Sequence, residues 1–306
     1  MASRQEMTYC LKFIWNKAWS QGVFLPEWKQ EHRAVLPKPD KDTYHQCQSY
    51  RTVSITSIIG KRFEKMTSAR LSSYLESINF DTKQHAYLQG RSTTHALISL
   101  IERLQKAILN GKVAAVVFFD FTDAFGNVNR EKLIEKLWEK FQIRGKLFLH
   151  LCSFLSERTA RIKINSLTGE WKESELGTSA GTVLGAILFI LHVFDSPESM
   201  DPKFADDFTA VTIADTIKEL ENILQRSIND LENWSDKNDM LLNQGKTQVV
   251  LFGRDVEHEI INLLLDSKPV EEKDSKVHLG VLLDSMLTFG KHFDRIFSKA
   301  IKSMAK

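Results

Sequence analysis

The run Val113-Ala-Ala-Val-Val-Phe-Phe119 constrains this chain more than any other segment. Seven apolar residues stand in a row without the polar alternation of a half-exposed strand, and Asp120 closes them. Such a run reads as a central strand covered on both faces. Its cover must come from elsewhere in the chain, and 306 residues, 42% of them apolar, are enough to build that core.

The flanking sequence supplies helices. Leu97, Ile101, Leu104 and Ile108 share one face of a helix from about Thr94 that Gly111 stops. Phe63, Met66, Tyr74, Leu75 and Ile78 recur at helical spacing between Lys61 and Ile78, and a further helix fits Glu6–Trp19. Arg130–Phe141 and Lys146–Ser156 read as two amphipathic helices, and Arg161–Ile164 alternates like a hairpin strand. The strongest helical pattern runs from Asp215 or Thr216 to Trp234, with Thr216 and Glu219 suited to a capping box. Thr247–Phe252 and Val277–Leu283 each read as one strand, and the stretch from Lys291 as a helix. Pro37 and Pro39 exclude a helix from Arg33 to Lys41, leaving Lys38 and Lys41 on extended chain. Strands and helices mix without a β-α-β rhythm, so the fold class is α+β.

Other classes fall away. Cys10, Cys47 and Cys152 are too few and too scattered for a disulfide framework or a zinc site. The longest apolar stretch, near Gly185–Phe194, includes His192 and is short of the roughly 20 residues a membrane span needs. No hydrophobic signal core follows Met1. Lys and Arg number 41 against 39 Asp and Glu, a formal charge of +2 that neither announces nor excludes nucleic acid.

The chemistry lies in carboxylates. Asp206-Asp207 stand side by side within Phe204-Ala-Asp-Asp-Phe-Thr-Ala210, a hairpin-like segment. Adjacent like charges at a structured bend are costly unless a cation lies between them. Two divalent ions clamped by such carboxylates are a standard device for displacement at phosphorus, and hard oxygen ligands suit Mg²⁺, with Mn²⁺ a possible substitute. Taken singly, an Asp at a strand end is usually a turn former, and an Asp pair usually a solvated turn.

Phe118-Phe-Asp-Phe-Thr-Asp-Ala-Phe-Gly-Asn-Val128 resembles the first catalytic block of reverse transcriptases, and Phe204-Ala-Asp-Asp207 resembles their aromatic-x-Asp-Asp block. Gly177–Phe189 is similar to the family's Gly-rich segment. Tyr50–Ser54, Ile59–Lys65, Gln84–Thr93, Leu242–Thr247 and His278–Asp284 extend the similarity in order along the chain. The nearest likeness is to Jockey-like non-LTR retrotransposons.

The resemblance implies a right-hand polymerase fold: an N-terminal extension and fingers over residues 1–115, a ferredoxin-like palm over 116–254 interleaved with the fingers, and a palm end with a truncated thumb over 255–306. It implies an RNA-directed DNA polymerase that works on an RNA template, a DNA primer and dNTPs, with no membrane partner, inside the cell in the nucleus or cytoplasm. Asp120, Asp206 and Asp207 become the catalytic residues, and with Phe121 the metal-binding positions. Lys38 and Arg51 fall where the fingers grip the triphosphate. Phe125 takes the place of the aromatic gate against a 2′-hydroxyl, Gly181 allows close approach of template or nucleotide, and Lys246 stands near the leaving pyrophosphate. Gly245-Lys246-Thr247 is not a P-loop, because Met240 occupies the position of the upstream glycine.

Three departures stand out. Ser179-Ala-Gly181 replaces the usual Pro-Gln-Gly, Gly126 replaces an acidic residue, and Met200-Asp-Pro-Lys203 is a poor strand before the Asp-Asp bend. A shortened strand there is expected to displace Asp206. No room precedes residue 20 for the endonuclease that non-LTR elements carry, so the sequence reads as a fragment or decayed copy. Two readings stay open: an active polymerase core, and a chain that keeps the fold and nucleic-acid binding without catalysis.

Overall fold

The structure, a computed structural model, describes residues 4–38, 43–78, 80–253 and 260–304. Lys41 and the expected palm–thumb boundary at 254/255 lie outside the described residues.

In chain order the elements are α1 (Arg4–Gln21), β1 (Gln30–Pro37), β2 (Tyr50–Ile55), α2 (Ile58–Ser77), α3 (Thr93–Leu109), β3 (Val113–Phe119), α4 (Arg130–Glu139), α5 (Gly145–Leu155), β4 (Thr159–Ile164), β5 (Leu167–Thr168), β6 (Lys172–Glu173), α6 (Val183–His192), β7 (Met200–Phe204), β8 (Asp207–Ala214), α7 (Ile217–Asn238), β9 (Gln248–Phe252), β10 (Leu264–Leu265), β11 (Lys268–Pro269), β12 (Glu271–Glu272), β13 (Ser275–His278), β14 (Val281–Asp284) and α8 (Gly290–Met304). They form two compact units that share the chain alternately: Met1–Phe80 with Asp123–Phe194, and Asp81–Thr122 with Asp195–Lys306.

The second unit is organised by β3, in the middle of a sheet ordered β12-β9-β3-β8-β7. Antiparallel β8 and β9 take its two edges, and Ala114 to Phe119 are all buried, as the apolar run requires. Leu100, Leu104 and Ala107 of α3 join Ala114, Val116 and Phe118 in one core cluster with Val250 and Phe252 of β9. Helix α7 packs on β8 and β3, with Leu220, Leu224, Ile228 and Leu231 fully buried. Burial on that scale stabilises by roughly 2 kcal/mol per side chain. The Thr216 hydroxyl caps α7 by accepting from the Glu219 N–H at 3.2 Å.

Two sequence expectations need correction here. Val277–Leu283 is not one strand: the chain turns at Leu279 and Gly280, both at positive φ, and β13 pairs back on β14. Met200–Lys203 does form a strand. Proline is tolerated because β7 is an edge strand of the sheet and its register with β8 shifts between Met200 and Lys203, where a ladder donor is not required. Lys203 is anchored by Asp81 at 2.7 Å and by the Ser196 hydroxyl at 3.1 Å, which offsets its burial.

The first unit carries a sheet ordered β2-β1-β4-β5, with β6 also on β4. Around it, α1 packs on α5, α4 on α5 and α6, and α2 on α6. His150 of α5 is wholly buried beside the rings of Trp19, Phe24 and Phe63, and neither of its ring nitrogens has a hydrogen-bond partner among the described residues. Burial, aided by the Arg70 charge, pushes its pKa down to about 4. The unfolded chain therefore takes up a proton near pH 6.5 that the folded chain refuses until about pH 4, and stability falls as pH drops through that window. The expected loss from this one group is about 2 kcal/mol between pH 7 and pH 5. Urea unfolding at the two pH values should show it, and His150→Phe should flatten the dependence. An equal decline in the variant would assign the acid sensitivity elsewhere.

Candidate active site

Asp120 is where β3 leaves the sheet, and the chain from Leu241 to Thr247 wraps it. The Asn243 N–H donates to the Asp120 carbonyl at 2.7 Å, and the Thr122 N–H donates to Leu241 at 2.8 Å. The Asp120 N–H reaches the buried Thr247 hydroxyl at 3.5 Å. Lys246, on the same wrap, places Nζ 2.9 Å from Asp120 Oδ2. Both side chains keep solvent access, so the pair itself adds little stability. The backbone cage sets where the carboxylate points.

Asp206 and Asp207 occupy the β7–β8 hairpin, in which Phe204 pairs with Asp207 and Ala205-Asp206 make the turn. Ala205 has φ +55°, strained for a residue with a Cβ. Gln84, fully buried, holds it there: its Oε1 accepts from the Ala205 N–H at 3.0 Å and the Ala86 N–H at 2.9 Å. The segment around Gln84 also bonds the outer edge of β7, with His85 N–H donating to Lys203 and Lys203 N–H to Lys83. The pairing of Phe119 with Phe208 makes Asp120 and Asp207 the next opposed positions on the ladder. Side chains so opposed have Cβ atoms about 5 Å apart.

The field there is negative and poorly neutralised. Burial, then the charges of Asp206 and Asp120, push Asp207 up to about 6, although its surface retains an exposed edge and Lys276 pulls the other way. Asp206 is raised by burial and by Asp120. Lys276 of β13 is held below the ordinary lysine range by burial, against the attraction of Asp120, Asp207 and Glu271. A cavity of about 150 Å³ lies beside Asp120 and Asp207, walled also by Lys246, Lys276 and His278.

Among the described residues no three His, Cys, Asp or Glu side chains form a ready-made metal cage. The donor chemistry nonetheless suits Mg²⁺, which is held by one or two carboxylates with the remaining ligands from water and substrate phosphate. The repulsion by which Asp120 raises the pKa of Asp206 and Asp207 is what a divalent cation relieves. The residues present therefore fit the ion.

The other sequence candidates belong to the first unit. Lys38 follows β1, its N–H on the Ser49 carbonyl at 2.8 Å, and Arg51 is exposed on β2. Half-buried Phe125 stacks on Phe189 with centroids 4.2 Å apart. Gly181 has φ +99°, and a Cβ there would meet the Ser54 carbonyl oxygen at 2.9 Å, so the backbone approach that demands glycine is to β2. The structure brings Asp120, Phe121, Asp206, Asp207 and Lys246 into the second unit, and Lys38, Arg51, Phe125 and Gly181 into the first.

Sequence reasoning missed the residues that hold this machinery. Gln84 and Lys276 were given no role. Glu31, fully buried on β1, accepts from Arg158 Nε at 2.7 Å and from the hydroxyls of Ser54 and Ser179, gripping the turn that opens α6. Glu64, equally buried, accepts from the Val183 and Leu184 N–H groups at 2.7 and 3.1 Å and caps that helix. Neither acid carried a local signal: Glu31 stands in Lys29-Gln-Glu-His-Arg33 and Glu64 in Lys61-Arg-Phe-Glu-Lys65, each among charged and polar neighbours.

The family model described as "Reverse transcriptase (RNA-dependent DNA polymerase)" matches residues 36–282. The chain belongs to the reverse transcriptase family. It is 25% identical over 99% of its length to the probable RNA-directed DNA polymerase from transposon X-element of Drosophila melanogaster, covering 34% of that protein. To the RNA-directed DNA polymerase from mobile element jockey of Drosophila funebris it is 27% identical over 92% of this chain and 32% of the relative. This reverse transcriptase domain thus spans about a third of the length of the curated relatives it matches. Apo telomerase from Candida tropicalis, truncated from its C-terminal domain, superposes with a TM-score of 0.57 at 14% identity, over 91% of this chain and 58% of that one. The fold is the right-hand polymerase fold, as the sequence resemblance implied.

Proposed function

We propose that this chain is the catalytic core of a non-LTR retrotransposon reverse transcriptase, which extends a DNA primer along an RNA template with dNTPs. The observation that carries the reading is the joining of Asp120, Asp206 and Asp207 at one end of β3 and β8, close enough that Asp120 raises the pKa of both Asp206 and Asp207. The reaction forms a bond from the primer 3′-oxygen to the α-phosphorus and breaks the bond to the leaving pyrophosphate. Mg²⁺ (or Mn²⁺), held by Asp120, Asp206, Asp207 and the Phe121 position, would supply Lewis acidity to both oxygens. Lys246 offers a cation beside Asp120 for the pyrophosphate. Lys38 and Arg51 are proposed triphosphate contacts, Phe125 the gate against ribonucleotides, and Gly181 a nucleotide-side backbone contact. The heteroduplex would be held by shape and phosphates.

Residues 1–115 are proposed as N-terminal extension and fingers, 116–254 as palm, and 255–306 as palm end and partial thumb. Among the described residues no helix is long and apolar enough to cross a membrane. The proposed place of action is the nucleus or cytoplasm.

The test is primer extension by the purified chain on an RNA template with dNTPs and Mg²⁺ or Mn²⁺, beside Asp206→Ala. Extension lost in the variant supports the reading. No extension by a folded chain that binds primer–template would overturn it and leave a palm that binds without catalysis.

A further inference from the structure

The first unit holds a cavity of about 550 Å³ that the polymerase chemistry does not use. Its size is that of an ordinary ligand cleft. Glu131 and Ile134 of α4, Leu155 of α5, Arg158, Glu173 and Glu175 line it. Glu131, Glu173 and Glu175 are exposed, and among the described residues none of their carboxylates has an ion pair or a hydrogen bond. A fourth wall acid, Glu157, meets Lys29 at 3.5 Å. Arg158 is the cation in this wall with a donor to spare. Its Nε donates to Glu31 at 2.7 Å and its Nη1 to the Phe154 carbonyl at 3.0 Å, while Nη2, buried, has no acceptor among the described residues. The side chain is 1% exposed, so the open space it borders is this cavity. Arg130, also in the wall, already commits Nε, Nη1 and Nη2 to the carbonyls of Gly177, Ser174 and Leu176.

Three unpaired carboxylates repel a phosphate chain, so nucleic acid is a poor occupant. They do not converge as a metal cage either, since no such group occurs among the described residues. A polyamine would satisfy the acids and leave the buried Arg158 donor unmet, which is costly. A peptide rich in Lys or Arg meets both demands. Its cationic heads pair with the glutamates, a main-chain carbonyl accepts from Nη2, and its alkyl stems cover Ile134 and Leu155.

We propose that this cleft docks a basic peptide segment of a partner protein, with cationic side chains on Glu131, Glu173 and Glu175 and a main-chain carbonyl on Arg158. The proposal stands apart from the polymerase reading, because none of these residues belongs to the catalytic or nucleotide-binding set.

The experiment is fluorescence anisotropy of a labelled tetra-arginine amide with the full chain, with Mg²⁺ in excess to screen the catalytic carboxylates. Glu131→Gln, Glu173→Gln and Glu175→Gln are each expected to weaken binding about threefold, and the triple variant by about tenfold or more. Circular dichroism controls for folding, which these exposed positions should not disturb. Spermine, which matches the peptide's charge but has no carbonyl, should displace the probe about tenfold less well than the unlabelled peptide. Wild-type affinity in the folded triple variant would overturn the site. So would loss of binding in Asp206→Ala, which would put the peptide on the catalytic carboxylates. Displacement by spermine as readily as by the peptide would also overturn it, leaving a surface that attracts any polycation and gives Arg158 no role.

Discussion

Asp120→Asn is expected to cut primer extension by about a thousandfold or more, while the chain stays folded. Removing a preorganised charge from the transition state costs about 10²–10³ in rate, and a carboxylate that also helps hold the metal loses more. The stability side points the opposite way. Asp120 contributes repulsion to Asp206 and Asp207, and its pair with Lys246 is solvent-screened, so the neutral amide relieves crowding at little cost. The variant should therefore melt at or slightly above the wild-type temperature and need more Mg²⁺ for any residual activity. Single-turnover extension over a Mg²⁺ titration, beside thermal melts, checks both halves. Near-wild-type rates would remove Asp120 from the catalytic set, and collapse of the fold would make it a structural residue.

Glu31→Gln is expected to destabilise the chain by about 3–5 kcal/mol. Burial alone would raise the Glu31 pKa, but Arg158 and the hydroxyls of Ser179 and Ser54 outweigh it and hold the carboxyl below its usual value. Its side chain and that of Arg158 are 0% and 1% exposed, so losing the charge strands a guanidinium away from water. Pairing Glu31→Gln with Arg158→Met should recover much of the loss, because the cost lies in the orphaned charge rather than the absent attraction. Urea denaturation of the single and double variants decides it. A single variant within about 1 kcal/mol of wild type would mean that water reaches the pair.

The elements that were legible in the sequence share a physical reason: their pattern is local. Val113–Phe119 announces a covered strand because every position is apolar, and α7 announces its face and cap through period and Thr216. The β13–β14 hairpin was illegible because its turn is made by Leu279, a residue that rarely takes positive φ and does so here next to Gly280. β7 was misread because proline was weighed without its edge position, which only the sheet order reveals. Asp120, Asp206, Asp207 and Lys246 stood out through motif resemblance. Gln84, Glu31 and Glu64 act on residues 121, 148 and 119 positions away, and no spacing rule reaches that far.

The placing of β3 also has a consequence for the nascent chain. Its edges are met by β8 and β9, which end at Ala214 and Phe252, long after Phe119 has been made. At about 5–20 residues per second, a ribosome needs roughly 7–27 s to travel from Phe119 to Phe252. For that interval the most apolar strand of the chain has unfilled hydrogen bonds along both sides and only α3, among its later core partners, already synthesised. The segment that carries Asp120 is thus also the one most exposed to mispairing with a neighbouring chain, and crowded synthesis would show as aggregation.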